Sequence, residues 1–563
     1  MTEGIGSGGR FSALREDIVW DDPAHLRGEI LTEAQLFEHA RQLGRCHRTS
    51  TTRGLALPLR RRFKATRKHV RSAYATLALG VERKREPSPA ELWLLDNGHV
   101  VEGQLREIDE DLPWGYLVKL PRIGQGKMRG YPLVYALCVD YLRYTDCRVD
   151  VRSLQQFIQA YQSERVLTIG ELWAVPIMLR LGLVLAVSVL AASEAQASDR
   201  DVADDWARRL LGAVASSPSP SGDGEQSVVA LLAQLEHERK KQLSSDAFLV
   251  TLLRRLRERE DAPVEALEWI ARCTEALHTT PEELARGYHL RQAADQVSVG
   301  NAITSMRAIN TLDWSIFFRN SSRVEAILRR DPRDVYARMD DPSRDRCRHA
   351  VERLARRSGI SEVEVASLAL NLAVAQRDHE QDYRAHIGYY LLDEGRGALY
   401  HALRYTPRID VRLREWASRH PTALYLGGIL VFTICFTLLA WAALSGVSSS
   451  MAVRLVLFPA MLLAGSEIAV AMVNAAVVTM IPPRILPKFE FAEGIPAQYA
   501  TLVVVPTLLG GPTGVSRLLE ELEVRRLANT DENLYFGLLT DFRDADRAEM
   551  PEDDQLLELV QAG

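Results

Sequence analysis

Cysteine is scarce: the 563 residues hold six, Cys46, Cys138, Cys147, Cys273, Cys347 and Cys435. No pair has C-x-x-C spacing, which excludes a zinc ribbon and a thioredoxin-type motif. The density is also too low for a disulfide framework, so reduced and mostly buried thiols are expected. A basic excess is lacking as well. Lys+Arg number 69 against 74 Asp+Glu, a net charge of −5, which argues against a dedicated nucleic-acid binder. The opening stretch MTEGIGSGGRFSALREDIVWDD has no apolar run, so no cleaved signal peptide is expected. Residues 1–420 show no nucleophile elbow, P-loop or His/Glu metal helix, which leaves little support for a separate soluble enzyme there. The mean hydropathy of −0.11 excludes a chain that is mostly membrane, yet it can hide one or two spans.

Those spans lie late. Between Pro421 and Val453 there is no charged residue, and Ala423–Leu444 reads ALYLGGILVFTICFTLLAWAAL. At about 1.5 Å per residue this run crosses a hydrocarbon core, with Tyr425 and Trp441 near its ends where aromatic rings favour the interface. A short turn, Ser445–Ser450, leads to a second apolar stretch, Met451–Ile481, whose only charges are Arg454 and Glu467. Arg404, Arg408, Arg412, Arg414 and Arg419 precede the pair, and Arg484 and Lys488 follow it. The positive-inside rule then places both flanks in the cytoplasm. Glu467 has two readings. It is a functional group inside the bilayer, or the second span ends beside it and Ile468–Ile481 forms a separate interfacial helix, stopped by Pro482-Pro483. The second is adopted. A third apolar run, Leu172–Ala192, carries Pro176 and a central Arg180 without basic bias on either side, and reads as a helix buried in a soluble bundle.

Residues 1 to about 420 read as almost all helix, from i, i+3, i+4, i+7 spacing in Ser153–Gln162, Val228–Leu243 and Glu362–Gln376. Ser361 with Glu364 predicts a capping box, and Thr280 followed by Pro281 predicts a helix start. The Ser/Pro/Gly stretch Ala215–Gln226 is a linker. The basic run Arg53–Arg71 is either a solvated helix face or a contact with anionic lipid.

Past Pro487 the pattern changes. Thr501–Pro506 is a β-branched strand, Thr507–Gly514 a Gly-rich loop, Val515–Asn529 a helix and Asn533–Asp541 a second strand. This is one βαβ unit, and its functional edge lies at the carboxyl ends of parallel strands. Pro506 and Thr507 follow the first strand, and Asp541 and Asp544 the second. A carboxylate there can bond the sugar or base of a nucleotide, or simply cap a loop.

Blocks along the chain give a resemblance. WLLDNGHVVEGQLREIDEDLPWGY (Trp93–Tyr116), RGYPLVYALCVDYLRYTD (Arg129–Asp146), LTIGELWAVPIMLRL (Leu167–Leu181) and VSVGNAITSMRAINTLDWSIFF (Val297–Phe318) come in order. VYARMDDPSRDRCRHAVERLARRSG (Val335–Gly359), AHIGYYLLDEGR (Ala385–Arg396), PPRILPKFEFAEGIP (Pro482–Pro496), TLVVVPTLL (Thr501–Leu509) and NLYFGLLTDF (Asn533–Phe542) follow. With them the chain resembles the N-terminal portion of a cyclic β-1,2-glucan synthase, over roughly residues 20–560. The resemblance implies a bacterial inner-membrane glycosyltransferase that polymerises glucose from UDP-glucose into cyclic β-1,2-glucan through a GT-A-type domain. It implies uridine contacts at Val505, Pro506, Thr507 and Asp541, with Asp544 nearby. It further implies Mg²⁺ or Mn²⁺ on an Asp-x-Asp of the complete domain, and a further Asp as base.

The expected fold is mainly α: helical regions at 20–214 and 227–420 around the 215–226 linker, a transmembrane hairpin with its interfacial helix at 421–483, and the start of a GT-A-like α/β domain at 497–563. The acidic tail offers Asp553-Asp554 but no Asp-x-Asp. The chain is therefore expected to stop before the metal site and base, to bind no metal alone and to be inactive alone. The expected partners are membrane lipid, UDP-glucose, glucan and a downstream-encoded chain that completes the transferase. Nucleic acid is not expected. The expected location is the inner membrane, multi-pass, with both termini cytoplasmic. The alternative is a non-catalytic, membrane-anchored helical scaffold that binds glucan or a partner. In the helical blocks Trp93, Asp96, Glu102, Arg106, Glu171, Trp173, Asn301, Arg307, Asp313 and Trp314 could bind sugar or knit helices together.

Overall fold

The structure is a computed structural model that describes residues 29–50, 58–82, 87–112, 114–126, 128–195, 198–215, 223–242, 246–259, 262–376, 383–407, 420–447, 450–480, 485–547 and 550–562, with isolated positions between 408 and 420. The opening 28 residues, Arg53, most of the 215–226 linker, Arg408, Arg414, Arg419, Arg484 and Pro482-Pro483 lie outside these. The chain divides into two compact units, 1–326 and 327–563. Among the described residues, mostly helical structure, three helices apolar enough to cross a membrane and a small parallel sheet match the expected fold class.

The first unit is built around α1, Ile169–Ala195. Its apolar side chains point all round, and 83% of its most apolar stretch is buried. The neighbouring helices Pro58–Glu82, Leu133–Tyr144, Gly98–Asp111 and Pro281–Thr311 supply that cover. Arg180 is tolerated because its Nε and Nη2 both have partners. Its Nε donates to Gln104 Oε1 (3.1 Å), and its Nη2 donates to Asn310 Oδ1 (2.9 Å) and pairs with Glu107 (3.0 Å). A helix facing lipid would lack such partners, so α1 is the core helix the sequence suggested. Gly182 permits the close approach of Leu133–Tyr144, since a Cβ there would lie 2.6 Å from Leu142 Cδ1. A second apolar cluster, including Trp206, Leu252 and Trp269, joins the helices between Ser198 and Glu275.

The predicted caps form. Thr280 and Glu283 exchange side-chain and main-chain bonds at 3.2 Å each, and Ser361 and Glu364 do so at 3.1 and 3.2 Å. These bonds satisfy N–H groups that have no partner inside the helix. Of the six thiols four are buried, while Cys46 and Cys435 are exposed. Burial pushes the Cys147 thiol up to about 12, so it stays protonated.

In the second unit α2 (Asp341–Ser358), α3 (Glu362–Val374) and α4 (Ile387–Leu392) form a small helical cluster. Then come α5 (Pro421–Val447) and α6 (Met451–Met480). Their apolar surfaces are bare, with only 11% and 17% of the most apolar stretches buried. They pair antiparallel. Tyr425 bonds Asn474 (2.9 Å), Gly428 faces Val473, Gly465 faces Thr437, and Trp441 meets Phe458 edge-on. Small residues at the crossing let the two backbones approach.

One expectation fails. Instead of ending near Glu467, α6 runs unbroken for 30 residues. Gly465, Ala469 and Val473 form one buried stripe against α5 that continues past Glu467 and holds the helix together there. At about 1.5 Å per residue the helix is ~45 Å long, more than the hydrocarbon core needs.

After α6, residues 485–491 form a strap on the start of α2. Asp340 N donates to Lys488 O (2.9 Å), Glu490 N to Arg338 O (2.8 Å) and Lys488 N to Ser343 Oγ (2.9 Å). Arg344, almost wholly buried, pairs with Glu490 at 3.1 Å. Next come β1 (Thr501–Leu509), α7 (Pro512–Ala528), β2 (Leu534–Phe542) and α8 (Asp553–Ala562). The strands pair in parallel from Thr501↔Leu534 to Leu509↔Phe542. Leu509, Val515 and Leu556 form the small core between sheet and helices. The loop is shorter than the sequence suggested: Thr507–Leu509 continue the strand, leaving Gly510 and Gly511 before α7.

Candidate functional site

The carboxyl edge of the β1–β2 pair gathers the nucleotide candidates. Side chains alternate across a strand, so residue parity fixes the face. Val505 and Thr507 share the face of Leu509, which packs under α7 and α8. Pro506 points to the opposite face together with Asp541, since Leu508 is the partner of Asp541. Pro506 lies in a two-stranded sheet, where a missing N–H is tolerated. Four of the five candidates therefore divide between two faces and meet a common ligand only at the strand ends. Asp541 is exposed, and its Oδ1 accepts from Phe542 N at 2.9 Å. Asp544 lies past the strand and is also exposed.

Three features of this edge were missed from the sequence. The guanidinium of Arg543 lies against Gly510, where a Cβ would come within 2.6 Å of its Nη2. Gly511 adopts φ 129°, a conformation suited to glycine. It starts α7 without a side-chain cap, which leaves the first helical N–H groups open toward an anion. The adjacent glycines and the arginine between the two aspartates were the available signals. Among the described residues no group of three His, Cys, Asp or Glu side chains could hold a metal.

The polar blocks of the helical region knit helices together. Arg307 donates to Asn97 (2.6 Å), and Asn301 donates to Asp146 (3.0 Å). Asp313 caps the helix Trp314–Ser321, and Trp314 Nε1 donates to Ile309 O (2.9 Å). Trp173 stacks on Phe318 at 4.7 Å. Glu171 bonds Thr168, and burial raises its pKa against the pull of those bonds. In the basic run, Arg67 pairs with Asp109 and Arg71 with Glu102. A network that composition did not reveal sets Arg200 between the buried Glu91 (3.4 Å) and Glu194 (3.2 Å).

No family model matches the chain. Among curated proteins it is similar to cyclic beta-(1,2)-glucan synthase NdvB of Rhizobium meliloti (strain 1021), with 29% identity over 509 residues. The match covers 89% of this chain and 17% of that protein, so the chain spans about a sixth of the relative's length. This likeness agrees with the resemblance that the sequence blocks suggested.

Proposed function

We propose that this chain is the membrane-anchoring part of a glucosyltransferase that polymerises glucose from UDP-glucose into cyclic β-1,2-glucan. The observation that carries the reading is the 29% identity over 89% of the chain. It is supported by the order of parts: a bare apolar hairpin, then a parallel β–α–β unit with its carboxyl edge open. At that edge Asp541 bonds the uridine from the exposed face, beside Pro506. Val505 and Thr507 line the other side, and Asp544 stands at the rim. Arg543 and the start of α7 receive the diphosphate charge. In this reading the chain alone turns over no donor, and a downstream-encoded chain completes the site. Arg404, Arg412 and Lys488 flank the hairpin while Ser450 and its neighbours carry no charge, which orients both flanks to the cytoplasm of a bacterial inner membrane.

The test is calorimetric titration of the detergent-solubilised full chain with UDP-glucose. Saturable binding that Asp541→Asn abolishes, without change in the circular dichroism spectrum, is expected. Binding unaltered in the variant removes Asp541 from the site. No binding by the native chain favours the scaffold reading, in which the helical region holds glucan or a partner.

A further inference from the structure

In the second unit a cleft of about 680 Å³ opens between α2, the start of α4 and the strap. Among the described residues, Arg346 and Arg353 of α2 and Arg396 line it, against a single lining carboxylate, Asp393. Arg346 donates to Ile485 O and Arg396 to Leu392 O, so these bonds go to neutral carbonyls and not to carboxylates. Arg346 Nη2 and Arg396 Nε are left buried without a hydrogen-bond partner. Burial and the nearby Arg396 and Arg357 hold the Arg353 guanidinium below its usual range, although Tyr400 and Glu352 pull the other way. Like charges crowded around a half-enclosed space are costly unless an anion joins them.

The remaining wall decides which anion. Ile485 and Leu486 line the same cleft and are 62% and 68% exposed. They follow within a few residues of the end of α6 at Met480. Unpartnered arginine donors next to bare apolar side chains, beside a membrane helix, match a molecule with a phosphate at one end and hydrocarbon at the other. His386 adds a fixed polar edge, its Nδ1 held 2.8 Å from the buried Asp331.

We infer that this cleft binds the headgroup phosphate of an anionic phospholipid, with Arg346, Arg353 and Arg396 on the phosphate and Ile485 and Leu486 against the acyl chains. The inference rests on the reading of α5 and α6 as membrane helices. The test is native mass spectrometry of the full chain in detergent with phosphatidylglycerol or phosphatidylcholine. The native chain retains phosphatidylglycerol roughly tenfold more than phosphatidylcholine, and the R353Q/R396Q variant loses that preference. Unchanged preference in the folded variant overturns the inference. If that variant does not fold, R346Q carries the same test with the same outcomes. Displacement of the lipid by equimolar inorganic pyrophosphate overturns it too, and assigns the cleft to a soluble phosphate compound. Flotation with neutral phosphatidylcholine vesicles needs only the hairpin. A native chain that does not float refutes the membrane reading, whatever the cleft binds.

Discussion

Asp331 is the residue whose removal should cost the second unit most. Its side chain is fully buried, and it accepts from Val335 N (3.0 Å), Tyr336 N (3.1 Å), Ile387 N (2.9 Å) and His386 Nδ1 (2.8 Å). These bonds tie the turn before Val335–Arg338 to the start of α4, far apart in sequence. Asp331→Ala strands three main-chain donors and one imidazole. Each stranded donor costs about 1–3 kcal/mol, reduced by relaxation. The expected loss is about 4 kcal/mol, or on the order of 10 °C in melting temperature. The pH dependence has a definite sign. Burial, the largest influence, pushes the Asp331 carboxyl up, but the bonds from His386, Ile387 and Tyr336 outweigh it and hold it below the usual range. Its stabilisation is therefore present above the unfolded value, about 3.9, and is lost as the pH falls through the folded one. The assay is thermal melting of the full chain and variant in detergent, followed by tryptophan fluorescence from neutral pH into acid. A loss below about 1 kcal/mol at neutral pH would refute the accounting. So would a native-minus-variant gap that widens on acidification.

Three further outcomes follow from the same contacts. Arg200→Ala leaves Glu91 and Glu194 buried without their cation; a loss of about 3–5 kcal/mol is expected, read by urea unfolding of the full chain. Gly182→Ala puts a methyl 2.6 Å from Leu142 Cδ1; overpacking of about 1–3 kcal/mol should appear in the same experiment. Gly465→Val drives a branched side chain toward Thr437 Oγ1, which already lies 3.1 Å from a Cβ built at that position. Crosslinking of cysteines introduced at Gly428 and Val473 should then fall relative to the chain with Gly465.

Local chemistry made several elements legible. The capping boxes at Thr280 and Ser361 involve residues three apart, and the two exposed apolar helices announce themselves by length and lack of charge. The β–α–β order was readable too, because β-branched runs and a helical period alternate over a short stretch. What escaped depends on partners distant in sequence. The burial of Ile169–Ala195 was legible, but the partners Gln104, Glu107 and Asn310 that close on Arg180 were not. The continuity of α6 past Glu467 is set by packing on α5, which no local propensity records.

At the candidate site the sequence alone placed Pro506, Thr507 and Asp541 near the strand ends, since strand order and period are local properties. The tertiary structure alone decided that Thr507 belongs to the strand, that Asp541 and Thr507 face opposite ways, and that Arg543 lies on Gly510. Register is a relation between two strands, and a one-residue shift would exchange their faces. The arginine-lined cleft likewise exists only once the strap after α6 folds back on α2, because its charge and its apolar wall come from segments far apart in the chain.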